Sequence, residues 1–213
     1  MTPTTHAGIK AEIVGTCAEV VEAMGPASVP HMNFFVELCT AGLNDQQSNV
    51  RNNATFMAGL IVQYGGQAAP SLTSNFLNLI MPFFQSQDSF LLDNCCGAIA
   101  RMIAAHPDKM PLDKVLPVWL NALPIRKDVV EINHTYATLV KLASSQMPAV
   151  LPCIPKIFTL LLTILEDRLV PATLKPELAK TVKGLCATHA ALSNVASTLS
   201  PQQQQTLSTA MNM

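Results

Sequence analysis

The sequence predicts an all-α fold, a solenoid built from antiparallel helix pairs. Three observations carry this reading. Apolar residues recur at helical spacing along nearly all of the 213 residues, and no segment sustains an alternation of period two. The composition, 49% hydrophobic with only 5% aromatic, suits helical cores of mid-sized side chains better than a β-sandwich. Turn chemistry then interrupts the pattern at short intervals: Gly25-Pro26, Gly65-Gly66, His106-Pro107, Leu123-Pro124 and Met147-Pro148.

These breaks define the elements in order. A first helix is expected over 5–24, ending at Gly25-Pro26, and a short amphipathic one over 30–42. The next, 48–64, carries the stripe Val50, Ala54, Met57, Ile61 and Tyr64. A helix over 72–86 precedes one over 89–105, striped by Leu92, Cys95 or Cys96, Ile99 and Met102. Then come 112–122 and 128–145, the latter striped by Val129, Ile132, Tyr136, Leu139 and Ala143. Helices over 150–165 and 174–190 follow. Finally, Ser200 as N-cap and Pro201 at the first helical position open a polar helix over 201–211.

Short connections force successive helices to run antiparallel. Each long striped helix follows a shorter amphipathic one, so the unit is an A-helix, a turn and a B-helix. Asn53 and Asn94 are 41 residues apart, and Asn94 and Glu131 are 37 apart, close to the ~40–47 residues of HEAT units. One pair cannot bury its apolar faces alone, so neighbours must stack. The expectation is a single HEAT-repeat solenoid over 1–213, with 1–25 as a B-helix lacking its A-helix.

Charge and cysteine usage narrow the function. A formal net charge of −1 argues against a basic nucleic-acid binder. Residues 1–100 hold two basic and seven acidic groups, however, and residues 101–213 hold eleven basic and seven acidic. The first half is therefore suited to a cationic partner. The six cysteines form no C-x-x-C pair and are expected as reduced thiols, with neither metal nor cofactor. No secretory leader is legible in MTPTTHAGIK, and the apolar run from Val150 to Leu165 is broken by Pro152, Pro155 and Lys156. No nucleophile elbow, phosphate-cradling glycine loop or H-E-x-x-H motif is present, so the chain is not expected to be an enzyme.

Several stretches carry a family resemblance: VRNNATFMAGLIVQYGG (50–66), DNCCGAIARMI (93–103), KVLPVWLNALPIRKD (114–128), IPKIF (154–158) and LSPQQQ (199–204). In order and spacing they resemble the C-terminal HEAT repeats of the karyopherin-β superfamily, in the branch of importin four and importin five. DNCCGAIAR is closer to the importin four type. The resemblance implies a C-terminal segment of a longer nuclear import receptor that shuttles between cytoplasm and nucleus. It implies protein cargo, histones such as the H3 tail or ribosomal proteins, held as lysine-bearing segments on the concave face lined by B-helices. It also implies that the parent receptor binds Ran-GTP, through N-terminal repeats absent here, and nucleoporins.

Five residues are the candidates for cargo binding. Asp128 and Glu131 are three apart at a helix start, where two carboxylates on one face can hold an ammonium group; the plainer role is stabilising the helix N-terminus. Asp93 and Asn94 open the preceding B-helix, where Asn94 can grip an extended backbone or cap the helix locally. Asn53 occupies the same register one repeat earlier, where it can also bridge adjacent repeats. Arg51 is expected in an inter-repeat ion pair and Trp119 in the core. The alternative function for such a fold is a scaffold that joins protein subunits through loops or an apolar ridge.

Overall fold

The computed structural model describes residues 6–212. Residue 5, where the first expected helix starts, lies outside them. The described residues form eleven α-helices joined by short 3-10 segments, with no strand among them. The chain divides into two compact units. One runs up to Pro111 and includes Ile125–Thr135; the other takes Leu112–Pro124 and the residues from Tyr136 onward.

The first unit is built from α1 (Ala7–Met24), α2 (Met32–Leu43), α3 (Ser48–Tyr64), α4 (Ala69–Ile80) and α5 (Ser89–Ala105). Here α1, α3 and α5 are the long B-helices and pack side by side, with α3 in the middle. The shorter A-helices α2 and α4 lie against α3 and touch each other, forming the second layer. This is HEAT stacking. Its core follows the stripe read from sequence as far as Ile61: Val50, Ala54, Met57 and Ile61 are buried with Phe35, Cys39, Phe76 and Ile80, while Tyr64 at the helix end is only half-buried. The Val, Ile, Met and Phe side chains among them each contribute about 1.5–3 kcal/mol by leaving water.

Glycines set the spacing of the rows. An added Cβ on Gly42 of α2 would meet the Ala54 Cβ at 2.8 Å, and one on Gly59 of α3 would meet the Ala98 Cα at 2.9 Å. Gly25 stands at φ +52°, a conformation open to glycine, where α1 ends and a 3-10 turn over Gly25–His31 begins.

The second unit contains α6 (Leu112–Ala122), α8 (Ile154–Glu166), α9 (Lys175–Thr188), α10 (Leu192–Ala196) and α11 (Pro201–Asn212), with α7 (Ile132–Ala143) entering it after Thr135. Helix α8 is its centre, touching α6, α9, α10 and α11. Phe158, Leu161 and Leu162 on α8 are fully buried, as is Trp119 on α6. At α11, Ser200 Oγ accepts the Gln203 N–H at 3.2 Å while Gln203 Oε1 accepts the Ser200 N–H at 3.2 Å. That reciprocal capping box, with Pro201 in the first turn, is the expected helix start.

Where boundaries differ from expectation, proline is usually the reason. The helix expected over 72–86 ends as α4 at Ile80 and tightens into a 3-10 turn around Pro82. That over 150–165 starts with a 3-10 turn at Leu151–Cys153, around Pro152. The helix expected from 128 begins as a 3-10 turn at Val129–Glu131 and becomes α7 at Ile132. Helix α10 has no counterpart in the sequence reading.

Candidate functional site

The five candidate residues lie in the first unit, and the structure gives each a partner inside the chain. Asp93 is fully buried. It does not open α5, which starts at Ser89 under an Asp88 cap. Instead its carboxylate reaches the strap over 125–131 and accepts three consecutive backbone N–H groups: Arg126 at 3.0 Å, Lys127 at 2.6 Å and Asp128 at 3.0 Å. Charge-assisted bonds of this kind are about twice as strong as neutral ones. They fix the strap without using any of its side chains.

Asn94, 4% exposed, donates through Nδ2 to the Phe90 carbonyl at 3.1 Å and to Asp128 Oδ2 at 2.9 Å. Asp128 is half-buried, and its other oxygen accepts the Val130 N–H at 3.3 Å, the helix-start role. Asn53 is half-buried and donates through Nδ2 to the Ala11 carbonyl of α1 at 2.8 Å, so it bridges two B-helices.

Glu131 is buried and ion-pairs with Arg101 of α5, itself buried. The notion of Asp128 and Glu131 as two open carboxylates for one lysine is corrected here. Glu131 has turned inward, because the charge of Arg101 is the partner that a buried carboxylate requires. Burial pushes the Glu131 carboxyl up to about 7; Arg101 opposes this by charge and hydrogen bond, while the Asp128 and Glu22 charges add to it. The Arg101 guanidinium also lies over the Phe56 ring of α3, 5.1 Å from its centroid. Room for the pair comes from Gly97, since an added Cβ there would overlap the Glu131 carboxylate.

Arg101 and Phe56 were missed in the sequence reading. The available signal was a lone cation in an apolar helix, four residues after a glycine, in GAIAR. Arg51 also departs from expectation. It donates through Nη1 to the Asp45 carbonyl at 2.9 Å and the Gln46 carbonyl at 2.8 Å, closing the turn before α3. Cys95 and Cys96 are fully buried, and burial pushes both thiols up, which suits packing and not nucleophilic chemistry.

Among the described residues there is no cluster of three metal-ligating side chains. No helix of the described residues is long and apolar enough to cross a membrane. The contacts of these carboxylates and amides and of the Arg101 guanidinium tie α5 to the strap over 125–131 and α3 to α1.

No family model matches the chain. It is similar to importin-4 of Homo sapiens and of Mus musculus, 29% identical over 184 residues in each case, covering 84% of this chain. It is likewise 29% identical over 171 residues to the probable importin subunit beta-4 of Schizosaccharomyces pombe, covering 79% of the chain. The matched part is only 17%, 17% and 16% of those proteins, so the chain spans about one sixth of their length. The resemblance to the importin branch of the karyopherin-β superfamily, read from the motifs above, stands on these comparisons.

Proposed function

We propose that the chain is a cargo-binding module of a nuclear import receptor, acting through reversible binding and not through chemistry. The observation that carries this reading is the similarity to importin-4 over 84% of the chain. In the finer form of the proposal, the cargo is a lysine-rich segment of a histone or ribosomal protein. The half-exposed Asn53 and Asp128 face it, and the buried Asp93, Asn94 and Glu131 stand behind them as supports. Asn94 steadies Asp128, and Asp93 fixes the backbone that carries it. The parent receptor would add Ran-GTP and nucleoporin binding and shuttle between cytoplasm and nucleus.

The test is anisotropy of a labelled lysine-rich peptide, such as a histone H3 tail, titrated with the full chain. Saturable binding that weakens with salt is expected, because charge contacts are screened. No saturable binding at low salt to any lysine-rich peptide overturns the reading. The scaffold reading draws support from one observation: Ile9, Ile13 and Val20 form an exposed apolar stripe on α1, at 56%, 38% and 40% exposure. A stable complex with a folded subunit that survives high salt would favour it.

A further inference from the structure

The second unit holds a small cavity that involves none of the five candidates. It lies between the last turn of α8, the start of α9 and the second half of α11, all within that unit. Its volume is about 220 Å³. A cavity of roughly 150 Å³ is enough for a benzene ring, and drug-sized ligands need roughly 300 Å³ or more. The space therefore matches one ring-sized side chain. Its walls suit a ring as well. Leu165 and Ala210 are buried apolar groups, and Thr206, Thr209 and Ala210 recur at i, i+3 and i+4, so they line it from one side of α11.

Two half-buried charged groups also line the cavity, and each is fixed by one bond. Glu166 Oε1 accepts the Thr206 hydroxyl at 2.7 Å. Lys175 Nζ donates to the Leu165 carbonyl at 3.0 Å, at the C-terminus of α8, where a cation is favoured. Yet the two do not pair with each other, and among the described residues neither is in an ion pair. Glu166 Oε2 makes no hydrogen bond and is not fully buried. Lys175 keeps two further N–H groups. The cavity thus sets one acceptor and one donor, both held in place, beside apolar walls.

These demands sort the side chains that could enter. A phenylalanine ring fills the walls and leaves both charges unmet. A lysine or arginine meets Glu166 and sets a second cation against Lys175, and a carboxylate does the reverse. An indole only donates, so it leaves Lys175 unmet. A phenol donates to the carboxylate, accepts from the ammonium and brings an aromatic body. The cavity is open beside Gln205 and Thr209, both exposed, so the ring can enter while still joined to a chain. We propose that this cavity is a docking pocket for a tyrosine side chain of a protein partner. The ring lies between Leu165 and the α11 face, and the hydroxyl is shared by Glu166 and Lys175. The pocket is independent of the cargo reading, whose residues all lie in the first unit.

The test titrates the full chain, with labelled threonine and alanine methyls, against four probes and follows the methyl signals by NMR. The probes are N-acetyltyrosinamide, N-acetylphenylalaninamide, N-acetyllysinamide and free p-cresol. The tyrosine amide should shift Thr206, Thr209 and Ala210 saturably and leave Ala54 and Ala98 of the first unit in place. Glu166→Ala should weaken its binding about tenfold, the worth of one charge-assisted hydrogen bond. Thr209→Phe, at an exposed position, should abolish the shifts by filling the cavity while circular dichroism stays that of wild type. A phenylalanine amide that binds as tightly as the tyrosine amide overturns the role of the two charges. A lysine amide that binds more tightly overturns the choice of side chain. Binding of p-cresol without binding of the tyrosine amide overturns the protein source. No shift on α11 with any probe overturns the pocket.

Discussion

The Glu131 carboxylate lies directly across Gly97, one helical turn before the Arg101 that holds it. A single methyl group at position 97 would occupy the space of the carboxylate. Gly97→Ala should therefore displace Glu131 from its pair and destabilise the first unit by about 2–4 kcal/mol, despite the better helix propensity of alanine. Urea denaturation followed by circular dichroism reads this directly. A variant as stable as wild type would mean that the carboxylate does not rest there.

Arg101 and Glu131 should behave as a coupled pair. Arg101→Leu alone leaves a buried carboxylate without its counter-charge and should cost about 3–5 kcal/mol. The double variant Arg101→Leu/Glu131→Leu should recover much of that loss, because no buried charge is left uncompensated. A double-mutant cycle supplies the measurement. Additive losses would show that the two side chains do not share one interaction.

The same carboxyl predicts a pH dependence. Its folded-state value is raised to about 7 from an ordinary 4.5, mainly by burial. Between those values the folded chain binds more protons than the unfolded one, so this contribution is full below about 4.5 and is lost as pH rises through 7. His134 works in the opposite sense, since desolvation and then the Arg101 charge lower its value from 6.5. The two are separated by Glu131→Gln, which should abolish the falling component of stability between pH 4.5 and 7. An unchanged profile in that variant would assign the slope to another group.

Asp93→Ala removes the acceptor of three main-chain N–H groups and should cost about 2–4 kcal/mol. Asn at this position keeps the shape but loses the charge and one acceptor oxygen, so it should fall between wild type and alanine. Hydrogen exchange at Arg126, Lys127 and Asp128 provides a local readout. Protection there should fall in both variants, and unaltered protection would contradict the fastening.

The array itself was legible because its determinants are local. Helices α3, α5 and α6 begin and end at the expected residues, since periodicity, Gly65 and Pro107 act within a turn or two of the boundary. Ser200 and Pro201 announced α11 for the same reason. The site was less legible. Asp93 and Glu131 read as surface carboxylates because each partner lies about 30 or more residues away, at Arg126 and Arg101. Nothing in a helical wheel of α5 says that position 93 turns toward a strap or that Arg101 finds a glycine-made hollow. Asn53 and Asn94 could be placed in register from the repeat, but whether they faced outward or held a neighbour depended on stacking distance.

The hold of Asp93 on the strap falls on main-chain atoms, and this leaves the outward side chains there unconstrained by it. The three bonds to Asp93 do not depend on which side chains stand at 126 and 127, because every residue other than proline supplies the same N–H; Lys127 separately lies over the Phe90 ring, 5.5 Å from its centroid. A lineage, or an engineer, can thus rewrite the charge displayed at this rim while the attachment beneath it stays the same.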